Sequence, residues 1–447
     1  MVKVIIPENQ IVTGSLSSLR ASDGAYKKLT FVRRLQEENT VLCFNALTRE
    51  LISFPMDEEH KPETGDYLRR NHFLIPENCD EVKLVKQVRD IVSLREQRAF
   101  EPHYFTILTT TDCNARCYYC FEAGCKRETM SLDTAITVAE YIEKCSKDEK
   151  AILNWFGGEP LCNSKVIDLI CEKLEADGQR FTSTMVSNGY LFDEETVRKA
   201  VEKWKLKNVQ ITLDGTEEVY NRTKAFIYKN VNAFRRVFRN IGLLTENGIK
   251  VSIRLNIGLQ NREDLYTLVG QIREAYGDNK NIKLYSHELF SDSSEEKKYA
   301  LGAFGAKVEM DKKLFELGLR KPAGLSRDLK TNYCGADSGK SVVIMPDGDL
   351  TLCEHFEGAG ILGNVKDGVT DPGLIDWWRE QKEETPLCHS CTLYPGCTRI
   401  EHCPNTGRCT PEMRDFYIDN LDRSIRYEYQ LRKESKAGEE EISEAEC

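Results

Sequence analysis

The sequence predicts an α/β protein whose core is an open, partial (β/α)6 barrel with smaller regions before and after it. Between about residues 101 and 290, apolar strand-like runs alternate with amphipathic helical segments, a pattern typical of stacked β/α units with a parallel sheet. Residues 1 to about 100 carry shorter strand-like runs and helical stretches, which predict a small α+β domain. Cysteines crowd the segment 331–410, which predicts a metal-binding domain there.

The N-terminal region contains no residues whose chemistry identifies a reaction. Its predicted strands are 26–32, 40–44 and 50–54, and its predicted helices are about 66–71 and 80–95. A small sheet with an exposed edge beside helices is a usual receptor for an extended peptide that adds as one more strand. A passive structural extension of the next domain fits the pattern equally well.

The barrel region is predicted in six strands and five helices. The strands are 103–109, 151–156, 181–186, 208–213, 249–257 and 281–289. The helices lie near 131–147, 163–177, 194–204, 229–247 and 261–277. Because ligands of parallel sheets bind at the carboxyl ends of the strands, the functional residues are expected at that edge. Residues 291–330 are predicted as a helical bridge, and 411–447 as a closing helix with a charged tail.

Composition excludes several classes of protein. The 447 residues suffice for two or three domains, and the net charge of −10 does not favour a nucleic-acid or anionic-membrane partner. No apolar run approaches the roughly 18 to 20 residues that span a bilayer, so a cytoplasmic protein is expected. In that compartment thiols stay reduced, and the 17 cysteines are therefore predicted to include metal ligands rather than a disulfide framework.

Three cysteines directly after the first barrel strand are the strongest chemical signal. Cys113, Cys117 and Cys120 have the spacing C-x3-C-x2-C. Because 4Fe-4S clusters usually take four thiolates, three thiols would leave one iron open to a ligand that is not protein. One alternative is the buried face of a helix, which the polar loop start does not favour. The other is a zinc site, which lacks a fourth ligand at the usual spacing.

Polar or glycine-containing turns follow the next strands at the same edge. They are Gly157-Gly158-Glu159-Pro160, Ser187-Asn188 and Asp214-Gly215. On the fifth strand Arg254 and Asn256 share one face, toward the barrel interior. A buried arginine needs an anionic partner, which is either a ligand or a structural carboxylate.

The thiol loop together with the Gly-Gly-Glu-Pro turn resembles the radical S-adenosylmethionine (SAM) superfamily, and the resemblance covers residues 101 to about 290 as its TIM-like core. It implies that the three thiols hold a 4Fe-4S cluster whose open iron chelates SAM. It also implies a set of SAM-pocket residues: Tyr119 near the adenine, Gly157, Gly158 and Glu159 at the methionine ammonium, and Ser187, Asn188 and Arg254 along the ribose and carboxylate. The cofactor then supplies a 5′-deoxyadenosyl radical.

The C-terminal cysteines resemble the SPASM domain, which in this superfamily carries two auxiliary 4Fe-4S clusters. The resemblance implies one cluster on Cys388, Cys391, Cys397 and Cys409, and a second on Cys334, Cys353 and Cys403. Cys403 must replace a family cysteine expected at the position of Glu401. The second cluster is one ligand short, so either another residue completes it or its iron is open to a substrate thiolate.

The resemblance implies an enzyme that cross-links a ribosomally made precursor peptide, by a thioether or a carbon-carbon bond. The N-terminal region would resemble winged-helix-like elements that bind a leader, and an external flavodoxin-type or ferredoxin-type donor would supply electrons. The alternative is an anaerobic sulfatase maturase, in which Glu354, directly after Cys353, would be the catalytic base. An iron-sulfur electron carrier without turnover is a third class, which the Gly-Gly-Glu-Pro turn does not favour.

Overall fold

The structure is a computed structural model. It describes residues 2–16, 24–96, 100–146, 149–229, 231–277, 279–289, 296–331, 334–354, 360–380, 384–400 and 409–445. The chain forms two compact units. The terminal unit comprises Met1–Arg98, Pro322–Ser338 and Trp378–Cys447, and the barrel unit comprises Ala99–Lys321 and Gly339–Trp377.

The barrel unit contains the six predicted strands, each within two residues of its predicted limits. They are β7 (Tyr104–Thr110), β8 (Ala151–Gly157), β9 (Phe181–Ser187), β10 (Leu206–Leu213), β11 (Lys250–Ile257) and β12 (Ile282–Glu288). Neighbours along the chain pair in parallel, as in Arg254 of β11 opposite Tyr285 of β12. The parallel, partial barrel is therefore confirmed.

The helices between these strands are also present. They are α4 (Leu132–Ser146), α5 (Ser164–Ala176), α6 (Glu194–Glu202), α7 (Glu217–Lys224), α8 (Ala233–Glu246) and α9 (Arg262–Tyr276). The structure adds α7, which the sequence pattern did not predict. After β12 comes α10 (Glu296–Glu316), whose Asp311 is fully buried and accepts a hydrogen bond from Ser286 of β12 at 2.6 Å.

The two faces of the barrel strands differ in polarity. In β9, Phe181 and Met185 are buried, whereas Thr184 between them is half-buried. The Thr184 hydroxyl donates to the Asn154 side chain of β8 at 3.0 Å. Because alternate residues of a strand point to opposite faces, the apolar set packs under the helices and the polar set lines the barrel interior.

The sheet does not stop at the first barrel strand. Strand β13 (Ser341–Ile344) pairs in parallel with β7, and β14 (Asp349–Thr351), β15 (Gly363–Asn364) and β16 (Gly368–Val369) follow in antiparallel order. Ten strands thus form one sheet. An open barrel leaves unpaired backbone groups at its edge strand, and β13 satisfies those of β7. Strands of two to four residues were too short for the sequence pattern to indicate.

The terminal unit has two sheets. Strands β1 (Lys3–Ile6), β5 (Leu51–Pro55), β4 (Thr40–Asn45) and β3 (Val32–Glu37) form an antiparallel sheet in that order, and β2 (Tyr26–Lys28) pairs with β6 (Leu74–Pro76). The single strand expected at 26–32 is wrong, because the chain leaves one sheet and enters the other at Leu29, which is fully buried. The helices are α1 (Gln10–Ser15), α2 (Pro62–Arg70), α3 (Glu81–Glu96), α11 (Gly335–Ser338) and α13 (Pro411–Ala445), while α12 (Gly373–Glu380) spans the boundary between the units.

The N-terminal sheet and the C-terminal segments of this unit share one hydrophobic core. Phe31, Phe44 and Leu51 of the sheet region cluster with Tyr394 and Ile425. At its surface the Arg33 guanidinium makes two hydrogen bonds to the Asp422 carboxylate of α13, at 2.7 and 2.6 Å. The N-terminal region thus belongs to the same compact unit as Cys388 and Cys397, which pack against this core. Nowhere in the described ranges does a helix combine the length and apolar character needed to cross a membrane.

Candidate active site

The three predicted cluster thiols lie in an irregular loop directly after β7. Between Thr111 and Met130 the chain forms turns and no helix, and the Cys120 amide donates to the Cys117 carbonyl at 3.2 Å. The alternative of a buried helix face is therefore wrong. The loop places Cys113, Cys117 and Cys120 at the carboxyl end of the first barrel strand, where the fold predicts a ligand.

Gly157 and Gly158 bring the end of β8 against the start of this loop. The Gly158 amide donates to the Thr110 carbonyl at 3.0 Å, and the next amide donates to the Asp112 carbonyl at 3.0 Å. A Cβ at Gly157 would lie 2.1 Å from the Thr110 carbonyl oxygen, and one at Gly158 would lie 2.4 Å from that of Asp112. The glycines are required for this backbone contact. Their contact with the methionine ammonium stays a prediction.

Replacing Gly158 with alanine is expected to displace the thiol loop, because its methyl group would overlap a backbone oxygen that cannot turn away. We expect a lower unfolding midpoint in urea and loss of iron bound at this loop. Gly270→Ala is the matched control, since Gly270 lies within α9 and a Cβ there meets nothing within 4 Å. It should stabilise the chain by about 1 kcal/mol, as alanine does in helices. Equal midpoints for the two variants would contradict the packing argument.

Glu159 joins three segments at the barrel mouth. Its side chain is fully buried and accepts hydrogen bonds from the Ser187 hydroxyl at 2.9 Å and the Asn188 amide at 2.8 Å. Burial raises the pKa of Glu159 to about 7, although the bonds from Asn188 and Ser187 favour the ionised form. A buried carboxylate is stable only with such donors, so Glu159 fixes the turn after β9. Its role at the methionine ammonium stays a prediction.

Asn188 connects that turn to the thiol loop. Its side-chain amide donates to the Asn114 side chain at 2.6 Å and lies 3.8 Å from the Cys113 sulfur. The Ala115 amide also donates to that sulfur, at 3.4 Å. Burial raises the pKa of the metal-free Cys113 thiol to about 12, and iron binding would displace its proton. The donors around Cys113 are those that a thiolate ligand requires, so this residue set fits an iron-sulfur cluster.

Tyr119 belongs to a buried polar cluster with Asp214 and Lys224. The Tyr119 hydroxyl donates to the Asp214 carboxylate at 2.8 Å, and the Lys224 ammonium donates to that hydroxyl at 2.8 Å. Lys224 also lies 3.1 Å from the Asp214 carboxylate, with exposed side-chain fractions of 6% and 2%. Burial alone would lower the pKa of Lys224, but Asp214 and Tyr119 together raise it well above its usual value. The contact of Tyr119 with adenine stays a prediction.

Sequence reasoning missed Lys224, because it lies at the end of the unpredicted helix α7. The signal was available in the sequence: Glu217 and Glu218 follow Thr216, as at the start of a helix. The Lys224 carbonyl accepts a hydrogen bond from the Arg116 amide at 2.8 Å. The end of α7 is therefore attached to the thiol loop by both its backbone and its side chain.

Arg254 is half-buried on the interior face of β11. Its guanidinium donates to the Asn256 side chain at 2.9 Å, and no carboxylate among the described residues forms an ion pair with it. The sequence left two partners open for Arg254, a ligand or a structural carboxylate. Among the described residues the structural salt bridge is absent. An anionic ligand remains the predicted partner of Arg254.

Four of the C-terminal cysteines lie together in the terminal unit. The charges of Cys388, Cys397 and Cys409 act on the Cys391 thiol, and burial is the largest cause of its raised pKa. The Thr385 amide donates to the Cys388 sulfur at 3.4 Å, and the backbone amides of Leu393 and Arg399 donate to the sulfurs of Cys391 and Cys397. Hydrogen bonds to sulfur are typical of cluster thiolates. The set fits a four-thiolate cluster.

The structure describes only two of the three cysteines predicted to hold the second auxiliary cluster. Cys334 lies in the terminal unit, where the Ala336 amide donates to its sulfur at 3.4 Å. Cys353 and Glu354 follow β14 in the barrel unit. Cys403 lies outside the described residues. The grouping of Cys334, Cys353 and Cys403 and the catalytic role of Glu354 stay predictions.

In the described ranges no three His, Cys, Asp or Glu side chains converge on a point that could hold a single metal ion. A four-iron cluster does not impose that requirement, since each thiolate binds a different iron atom. The three thiols after β7 and the four C-terminal thiols are therefore compatible with clusters rather than with single metal ions.

The barrel region is similar in sequence to known proteins. Residues 107–272 match the family model described as the Radical SAM superfamily. GTP 3′,8-cyclase of Clostridium perfringens (strain 13 / Type A) is 22% identical over 317 residues, covering 66% of this chain and 94% of the relative. The uncharacterized protein MJ0907 of Methanocaldococcus jannaschii is 25% identical over 271 residues, covering 59% and 89% respectively.

Two solved structures share the fold. The structure of anSMEcpe with bound AdoMet has a TM-score of 0.58 at 15% identity, covering 74% of this chain and 96% of that one. Streptococcus suis SuiB bound to S-adenosylmethionine has a TM-score of 0.50 at 16% identity, covering 82% and 93%. Residues 107–272 therefore form a radical SAM domain within the barrel unit, and the protein is an enzyme. The superfamily of that domain uses a 4Fe-4S cluster and SAM.

Proposed function

We propose that this enzyme cross-links a ribosomally made precursor peptide, by a thioether or a carbon-carbon bond. The observation that carries the proposal is the presence of two separate thiol sets: a three-thiol loop at the barrel mouth and a four-thiol group in the terminal unit. The first leaves an iron open, and the second does not. A relative of the same fold, anSMEcpe, has been solved with AdoMet and Cp18Cys peptide, which supports a peptide substrate.

The residues of the barrel mouth would divide the binding of the cofactor. When bound, the cluster and SAM supply a 5′-deoxyadenosyl radical that removes a substrate hydrogen. Cys113, Cys117 and Cys120 would hold the cluster. Arg254, which lacks a carboxylate partner in the described residues, would bind the SAM carboxylate. Tyr119, Gly157, Gly158, Glu159, Ser187 and Asn188 form the remaining wall of this pocket.

The C-terminal cysteines would form a SPASM domain with two auxiliary clusters, one on Cys388, Cys391, Cys397 and Cys409. After the substrate hydrogen is removed, closing the link releases one proton and one electron. An auxiliary cluster held by these cysteines would supply an acceptor for that electron, and each link would then remove two hydrogens from the peptide. An external flavodoxin-type or ferredoxin-type protein supplies the electron that starts each cycle.

The terminal unit offers a place for the leader of the peptide. Its four-stranded sheet has β1 and β3 as outer strands, and an extended segment binds such a strand by backbone hydrogen bonds. The leader sets the position of the peptide, while the barrel mouth selects the residue that reacts.

The test begins with anaerobic reconstitution of the enzyme with iron and sulfide. The enzyme is then incubated with SAM and, in separate reactions, with a full precursor, its leaderless core, or a short peptide with a sulfatase-type cysteine. We expect the full precursor to lose two hydrogens per link and to form 5′-deoxyadenosine, with little reaction of the leaderless core. Tandem mass spectrometry locates the link. A reactive aldehyde in the short peptide, without any effect of leader, would instead establish the sulfatase maturase, for which Glu354 beside Cys353 is the candidate base.

A further inference from the structure

Arg89 of α3 holds the segment that carries the C-terminal thiols. Its guanidinium donates to the carbonyl oxygens of Tyr394 at 3.1 Å, Pro395 at 3.2 Å and Cys397 at 3.1 Å. The side chain is 5% exposed, and its guanidinium carbon lies 6.0 Å from the centre of the Tyr394 ring. One guanidinium nitrogen, with its two N–H groups, thus lies within hydrogen-bonding distance of three carbonyl oxygens of a single turn, so one hydrogen is shared. Such a contact fixes both the turn and the position of the positive charge.

A second contact from the same helix fixes the same segment. Lys86 forms an ion pair with Glu384 at 3.0 Å, and the Tyr394 hydroxyl donates to Glu384 at 2.9 Å. The turn between Glu384 and Cys397 is therefore attached to α3 at two points one helical turn apart. A helix of the N-terminal region is part of the framework of the C-terminal cysteine group.

Arginines of the described residues act on two thiols of this cysteine group. Burial raises the pKa of Cys397 and of Cys409, whereas Arg89 acts to lower the first, and Arg399 and Arg414 act to lower the second. Arg399 is itself held by the Tyr417 hydroxyl at 2.9 Å. Four thiolates on a cluster carry an excess negative charge, and a buried cation stabilises that charge strongly because water screens it little.

We propose that Arg89 is the countercharge of the auxiliary cluster on Cys388, Cys391, Cys397 and Cys409, and that it favours the reduced cluster. Reduction adds one electron and no proton, so it adds one negative charge beside the fixed guanidinium. Removing the positive charge must therefore shift the midpoint potential of the cluster to more negative values. The consequence for turnover is that Arg89 makes the cluster a better acceptor of the electron released when the link closes. The inference rests on the proposed function.

The experiment isolates one cluster and measures its potential directly. Cys113, Cys117, Cys120 and Cys353 are replaced by alanine, so that only the four-thiolate group binds a cluster. In this background we compare Arg89, Arg89→Met, Arg89→Gln and Arg89→Lys, with Lys83→Met as the control for loss of an exposed charge on the same helix. Iron and sulfide are counted per chain, and the midpoint is read from a redox titration followed by electron paramagnetic resonance.

We expect a more negative midpoint in Arg89→Met and Arg89→Gln, and a midpoint close to that of Arg89 in Arg89→Lys and Lys83→Met. A purely structural role would lower the unfolding temperature of the metal-free variants without moving the midpoint, and that result overturns the proposal. If both neutral variants lose the cluster, Arg89→Lys decides: retention at the original midpoint supports the countercharge, and loss overturns it. If the background chain with Arg89 intact holds no iron and sulfide, the assignment of the auxiliary cluster fails instead.

Discussion

Replacing Cys113, Cys117 and Cys120 together with alanine is expected to abolish SAM cleavage. In the proposed assignment each thiol would hold one iron, and without the three thiols the iron that would bind SAM has no attachment to the protein. The three side chains are only partly buried and lie in a loop without helix, so the barrel itself should remain folded. We expect the loss of about four irons per chain, as one cluster requires, and 5′-deoxyadenosine at the level of a blank without enzyme.

Cys125→Ala is the matched control for this result. Cys125 lies in the same loop, is exposed, and follows the third ligand by only a few residues. Its replacement should leave iron content and 5′-deoxyadenosine formation unchanged. SAM cleavage by the triple variant above the blank would contradict the assignment of the cluster, whereas a loss in Cys125→Ala would show that the ligand set is wrong.

Replacing Lys224 with methionine is expected to have the largest effect on stability. The change leaves the Asp214 carboxylate, whose side chain is 2% exposed, without its cation. Breaking a buried ion pair by removing one partner costs about 3–5 kcal/mol. It also removes the donor to Tyr119, which lies between two of the cluster thiols in the sequence. Urea denaturation of the full chain measures the loss, and iron retention measures the effect on the loop.

The double variant Asp214→Asn with Lys224→Met separates charge from packing. Removing both charges leaves no uncompensated ion, so more than half of the stability lost in the single variant should return. Lys203→Met is the control, because Lys203 forms an exposed pair with Glu172 and its loss should not move the urea midpoint. Additive losses in the double variant would show that the Asp214 and Lys224 charges are not coupled.

The sequence predicted the barrel well because each of its signals is local. Strands such as β9 alternate apolar and polar residues, and helices such as α8 carry an apolar face, so both are visible within a short window. The thiol loop was equally visible, since C-x3-C-x2-C is a contiguous pattern. The contact of Gly158 with the methionine ammonium stays a prediction. The structure adds that Gly158 approaches the Asp112 backbone closely, which the sequence did not indicate.

Signals that depend on distant partners were missed. Strand β13 has few residues of its own and exists because β7 offers an unpaired edge. Lys224 looked like an ordinary surface lysine, and only the fold places it beside Asp214 and Tyr119. Arg89 likewise lies in an amphipathic helix, and nothing in that helix indicates a turn more than 300 residues later as its partner.

The sequence by itself determined the parallel barrel and the thiol loop, because both follow from the spacing of residues along the chain. It indicated the class of chemistry through the resemblance of the thiol loop and the Gly-Gly-Glu-Pro turn to a known superfamily. Only the tertiary structure decided which charges are buried together and that described residues between Ile5 and Val92 share a core with the segment of Cys388 and Cys397. The reason is physical. Burial and charge pairing depend on which surfaces exclude water from each other, and that is a property of the folded chain rather than of any one segment.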